Sequence, residues 1–399
     1  MKPFPMFWRL AAASIALLVA RGSARADCHL ETKFFPLPVW ATTPNEGNTW
    51  GLMPVVVRIC PSDHRTHWIL APDITWNSVI HYTATMRWYY YPDDDTTISL
   101  FTSASTRINY SALLTWEHLP LASGRWTHEG IAGIDRNAFD RFFGIGPDTP
   151  ASAESSYTGV RLLASERLGY NVGGGINLGL TLAAERDRVD DVGVFGLPLS
   201  PEAFPSAPGM QGAELLTQGL DLRYDDRIGG DFARAGSYVD ASVQYAEAIS
   251  GSPNFWRLNT QFKRIWPELG WLSGAAHLDW NAVSSRDVPF YQQSSLGGAF
   301  LLRGFEEGRF VDTQAWTAEV EQRVRVLQTH WFNVTTDWRI DPFVAAGQVF
   351  DSADTVISNV KVSAGFGLRA FVHPRLLARI DLADGGEGIK VYVEIGYPY

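Results

Sequence analysis

Trp316 to Val326 reads WTAEVEQRVRV, and the order of its residues decides the fold. In an extended chain Trp316, Ala318, Val320, Gln322, Val324 and Val326 fall on one side, and Thr317, Glu319, Glu321, Arg323 and Arg325 on the other. A helix would spread those charges round its axis, whereas a strand, with its period of two, collects them on one face. The alternation recurs in Phe255 to Trp266, Val360 to Val372, Leu376 to Ala383 and Lys390 to Tyr397. The runs approach the length that a tilted strand needs to cross a bilayer. A soluble sandwich also alternates. Here, however, the polar faces bring opposite charges together, as with Arg379 and Asp381, which suits a hydrated lumen.

Composition points the same way. Aromatic residues make up 13% of the chain, with 15 Trp, as expected where aromatic girdles mark two membrane interfaces. Mean hydropathy is only -0.08, and no apolar run of transmembrane-helix length follows the N-terminal segment. A net charge of -10 without a basic run argues against nucleic acid as a partner.

The N-terminus has the signature of an export signal. Lys2 and Arg9 precede the apolar run Leu10 to Ala20, and Ala24-Arg25-Ala26 offers a small-x-small cleavage site before Asp27. The expected organisation is a signal peptide over 1–26, a short periplasmic tail over 27–46 and an outer-membrane barrel over 47–399. Cys28 and Cys60 are the only cysteines, and in an exported chain they are candidates for a disulfide.

About 17 candidate strands follow Asn48, and bacterial single-chain barrels have an even number, so 16 is the expectation. The count is least defined where Thr96 to Thr106 and Tyr110 to His118 are either separate strands or parts of longer ones. Long connections fall near Arg136 to Ser156, Arg186 to Gly212 and Ser284 to Asp312. The fold class is therefore all-β, a transmembrane antiparallel barrel.

The last of those connections contains SSLGGAFLLRGFEEGRF, with Leu302-Arg303-Gly304-Phe305 after Gly297-Gly298. It resembles the (V/L)RGF segment of the BamA/TamA superfamily, the bacterial surface antigen family. The following segments resemble that family in the same order: Glu321-Gln322-Arg323, Pro342 to Asp351, Val362 to Arg369, Arg379-Ile380-Asp381 and Tyr392 to Tyr399. Upstream, Asp225-Asp226-Arg227 through Gly236 resembles its D-x-R…G periplasmic turn, and Phe142 to Gly146 a segment of its small members. The resemblance implies a 16-stranded barrel in the Gram-negative outer membrane, with this loop folded back into the lumen. A cation inside a barrel needs an acidic partner. Glu321 is the first candidate for Arg303, with Glu319 and Asp381 as further ones. The family's second carboxylate aligns with Ala345, counting from Gly347, so its usual two-carboxylate arrangement is incomplete here.

The resemblance also implies a role in protein insertion into, or translocation across, the outer membrane. Family members carry periplasmic POTRA modules, and the roughly 20 residues after Asp27 leave no room for one. A separate periplasmic protein partner, or client outer-membrane proteins, is the corresponding expectation. The seam expected to admit a client strand lies between Gly47 to Ile59 and Val391 to Gly396, with Gly396 and Pro398 weakening the pairing. The alternatives are a passive or plugged pore, a membrane anchor for a soluble partner, and an outer-membrane enzyme. Against the last, the chain has neither a GxSxG elbow nor an HExxH motif. His277 and Asp279 share a strand face, but a polar lumen yields such pairs without catalysis. Neither a metal nor a cofactor is expected.

Overall fold

The computed structural model describes residues 29–60, 65–120, 124–194, 196–229, 233–331, 334–372 and 376–395. The expected signal peptide, Cys28, Gly396 and Pro398 lie outside these residues. The chain forms β1 (Glu31–Thr43), β2 (Gly47–Cys60), β3 (Arg65–Asn77), β4 (His81–Tyr90), β5 (Thr96–Ser105), β6 (Tyr110–His118), β7 (Trp126–Phe142), β8 (Ser155–Gly173), β9 (Ile176–Asp190) and β10 (Ala213–Asp225). It continues with β11 (Gly236–Ser250), β12 (Phe255–Leu269), β13 (Leu272–Val283), β14 (Ser294–Leu296), β15 (Phe310–Asp312), β16 (Gln314–Trp331), β17 (Val334–Phe350), β18 (Lys361–Val372), β19 (Leu376–Asp384) and β20 (Ile389–Ile395). β14 and β15 form a separate small hairpin within the connection from β13 to β16. The other strands form one 18-stranded antiparallel sheet in which each strand pairs with its neighbours in order and β20 returns to β1. Such closure satisfies the backbone of the wall strands within the bilayer.

The barrel thus has 18 strands, not 16. From Gly47 onward the strands are odd in number, and the strand that makes the total even lies upstream. Residues 31–43, expected in the N-terminal tail, are β1, registered against β2 from Glu31↔Ile59 to Thr43↔Gly47. Pro36 and Pro38 hide this strand, because proline counts against an ordinary strand assignment. β5 and β6 are separate strands joined by a short turn.

Outward and inward residues alternate round the wall. On β16 to β18, Val320, Val344, Val362 and Phe366 are exposed towards lipid, whereas Glu321, Arg323, Asp341 and Arg369 are buried inside. The aromatics lie at two heights. Trp40 stacks on Trp50 near one end, and Trp126 meets Tyr170 edge-on near the other. β12 carries exposed Trp256 and Trp266 ten residues apart on one face. At about 3.3 Å per residue and a tilt of about 40° they mark an apolar band about 25 Å tall. The long connections β7–β8, β9–β10 and β13–β16 share one end of the barrel, and Phe142, Met210, Phe290 and Val311 pack there in one cluster.

If β1 is a wall strand, deleting residues 29–46 should abolish the fast-migrating folded band of the unheated protein on a denaturing gel. A detachable tail would leave that band in place.

Candidate functional site: a loop locked in the lumen

Strand alternation brings charges to one interior patch. Glu319, Glu321 and Arg323 of β16, Asp341 of β17, Arg369 of β18, and Arg379 and Asp381 of β19 all point inward and are at most 5% exposed. The loop between β14 and β15 adds Arg303, which is fully buried. Arg303 Nη1 donates to Asp381 Oδ1 at 2.9 Å. Its Nε and Nη2 hold both oxygens of Glu319, and Nη2 reaches Glu321 Oε2 at 3.3 Å. The guanidinium lies 3.5 Å from the centre of the Phe343 ring, so a cation–π contact covers its remaining face.

The wall arginines complete the network. Arg369 donates to Asp381 at 2.7 Å and to Glu321 at 3.3 Å, and lies 3.4 Å from Asp341. Arg379 donates to Asp381 Oδ2 at 2.9 Å and to the Ala299 carbonyl at 3.2 Å. Arg323 donates to Glu321 at 2.9 Å. Four guanidinium groups thus meet four carboxylates, Glu319, Glu321, Asp341 and Asp381. Without Arg303 the wall would hold one uncompensated negative charge away from water.

The rest of the motif is fitted as closely. Gly304 has φ +107, and a Cβ there would meet Gly385 N at 2.9 Å. The Tyr392 hydroxyl accepts from Gly304 N at 3.1 Å and donates to the Phe305 carbonyl at 2.7 Å. Phe305 packs beside Gly385, where a Cβ would lie 2.3 Å from its ring. Leu302 has φ +58, a strained conformation for leucine, offset by burial in a cluster with Leu296, Phe305, Phe310, Ala345 and Val349. Ala345 therefore faces apolar side chains rather than the guanidinium, and Asp381 and Glu319 meet the cation instead.

Beyond the motif the loop ties itself to three other segments. Arg309 donates to Glu387 at 2.7 Å and to the Thr149 carbonyl at 2.8 Å. Lys390 of β20 donates to Glu306 at 2.6 Å. Asn45, in the β1–β2 turn, exchanges two hydrogen bonds with the Glu307 backbone, at 3.0 and 3.1 Å. The loop therefore grips both strands that close the barrel. Sequence reasoning missed Tyr392, Asn45 and Arg309. Only Tyr392 left a signal, as an aromatic on the polar face of the last run.

His277 Nε2 lies 2.6 Å from Asp279 Oδ2, and Asp279 also accepts from Gln261 at 3.1 Å. His277 sits opposite Glu319 in the β13–β16 register, so the pair borders the charge network. Cys60 ends β2 and is buried; its expected partner Cys28 is outside the described residues.

A closed barrel with an aromatic-flanked apolar belt and a charged lumen defines an outer-membrane protein of the Gram-negative envelope. The model of the Omp85 superfamily domain matches residues 140–385, and the chain belongs to that superfamily. No curated protein matches the chain. Among solved structures, it is similar to BamA from Haemophilus ducreyi lacking POTRA domains 1–3. That match has a TM-score of 0.59 and 16% identity, over 96% of this chain and 78% of that one. It is also similar to CdiB from Escherichia coli, with a TM-score of 0.51 and 11% identity over 94% of this chain. The chain spans 64% of that CdiB chain, less than two thirds of its length. At these identities the likeness is one of fold. The family match begins near the end of β7.

Two results are expected. Arg303→Ala strands buried carboxylates and should destabilise the barrel by about 3–5 kcal/mol in denaturant unfolding, as losing one partner of a buried ion pair does. Glu46, in the β1–β2 turn, has its pKa raised to about 7, mainly by burial and then by Glu307. A raised carboxyl pKa contributes stability below its ordinary value near 4.5 and loses it as pH rises through 7. Stability should therefore fall between about pH 4.5 and pH 7 and level off above that, and Glu46→Gln should flatten the slope.

Proposed function

We propose that this barrel handles polypeptide at the outer membrane, receiving a client strand at the β1–β20 seam. The observation that carries this reading is the weakness of that seam. Among the described residues, β1 and β20 are registered at one pair, Thr42↔Val393. The neighbouring β19–β20 ladder, also ending on β20, runs from Ala378↔Ile395 to Asp384↔Ile389. This moves the seam from β2, the strand expected from sequence, to β1.

Proline chemistry supports the reading. Pro36 and Pro54 stand opposite each other in β1 and β2. Neither has an N–H to give, so the pair is tolerated where both N positions point away from the other strand. That turns Pro36, and with it Pro38 two residues on, away from β2. β1 then offers, on its side away from β2, an edge short of donors at Pro36 and Pro38, of the kind that strand addition exploits.

The loop lock supplies the restraint such an edge needs. Asn45 holds the loop to the β1–β2 turn, while Lys390 and Tyr392 hold it to β20. A separate periplasmic protein delivering clients fits the same reading. The test is to cross-link the seam with Thr42→Cys and Val393→Cys in cells, under oxidising and reducing conditions. Oxidation should lower the level of at least one other outer-membrane or secreted protein to that of a deletion strain, with recovery on reduction. An unchanged envelope proteome in both the cross-linked and the deletion strain overturns the proposal.

A further inference from the structure

On the side of the lock nearer the short turns, the same wall carries a second pattern. Arg325 of β16 stands opposite Arg339 of β17, Arg339 opposite Arg369 of β18, and Arg369 opposite Arg379 of β19. Like charges directly opposed on neighbouring strands are destabilising unless something compensates them. Arg369 and Arg379 are compensated by the carboxylates of the lock. Arg325 lies 3.6 Å from Glu268 and donates to the Gly270 carbonyl at 3.0 Å. Arg339 is different. Among the described residues its side chain has neither an ion pair nor a hydrogen bond, and its Nε is buried without a partner.

Arg339 faces a cavity of about 200 Å³ lined also by Arg234, Glu268, Arg323, Arg325 and Asp337. Arg234 comes from the connection between β10 and β11. Its neighbour Ala233 is buried against Ile265 and Ala275, so Ala233 and Arg234 lie at the mouth of the barrel. Arg323 is already paired with Glu321 in the lock, so among the described residues three guanidinium groups, Arg234, Arg325 and Arg339, share the cavity wall with two carboxylates, a formal surplus of one positive charge. The surplus centres on Arg339, whose Nε is shielded from water, and a shielded cation calls for a counter-charge.

We infer that this cavity binds an oxyanion, a phosphate or carboxylate group, entering the lumen from the short-turn end. The guanidinium fork matches the paired oxygens of either group, and arginine is the residue suited to such bidentate recognition. Phe371 adds an apolar wall for whatever carries the anion. The inference is independent of strand addition at the seam, since it concerns side chains of β16, β17 and the β10–β11 connection and none of β1 or β20.

Phenylglyoxal, which modifies unengaged guanidinium groups, provides the test. The full-length barrel in detergent is labelled in chloride buffer, and modification at each arginine is read by mass spectrometry. Labelling is repeated with inorganic phosphate, with a short peptide bearing a free C-terminal carboxylate, and with the same peptide amidated. Arg339 should react about tenfold faster than Arg369 and Arg379, whose charges are engaged. Protection of Arg339 by phosphate alone assigns a phosphate site. Protection by the acid peptide and not its amide assigns a carboxylate site, and protection by both anions a general oxyanion site. In folded Arg339→Gln, the protection of Arg234 should be lost. No protection by either anion, equal protection by the amide, or persistent protection of Arg234 in that variant overturns the proposal.

Discussion

The structure depends on one buried cation. Arg303 is carried into the lumen by a loop and meets Glu319, Glu321 and Asp381 with no water-exposed surface of its own. Removing a charge from water costs several kcal/mol, and geometry must repay it. Here every edge of the guanidinium is occupied and its face lies on Phe343. The wall is built to need it, because three arginines and four carboxylates are out of balance until the loop arrives. The arrangement therefore specifies one position of the loop more sharply than an apolar contact would.

That position has consequences for closure. A barrel of 18 strands abolishes its edges only if the first and last strands pair. Among the described residues that pairing is registered at one pair, Thr42↔Val393. The loop makes contacts on both sides of the gap, through Asn45 on one and Lys390 and Tyr392 on the other. Charge balance in the lumen and integrity of the wall are thereby coupled, so that loosening Arg303 loosens the grip across the seam. Membership of the Omp85 superfamily and the fold likeness to BamA give this coupling a setting, while its particulars belong to these residues.

Much of this was legible in the sequence. The period of two shows directly in Glu319, Glu321 and Arg323, because each lumen residue is followed by a lipid-facing one. The motif around Arg303 stood out through its neighbours. What stayed hidden was whatever depends on partners distant in the chain. β1 was hidden by Pro36 and Pro38, whose tolerance is visible only once β2 is placed beside them. Asn45 meets Glu307 across 262 residues, and nothing local marks it. The row from Arg325 to Arg379 appears only once the register is known, since the four arginines lie on four strands.

Hydrogen–deuterium exchange of residues 297–310 in the folded barrel, compared between the wild-type protein and Arg303→Ala, tests the lock most directly. If the guanidinium holds the loop, the wild-type segment exchanges as slowly as the neighbouring wall. In Arg303→Ala it should then exchange about a hundredfold faster or more, while β16 to β19 keep their protection. A loop that stays equally protected without Arg303, or is unprotected with it, would contradict the account.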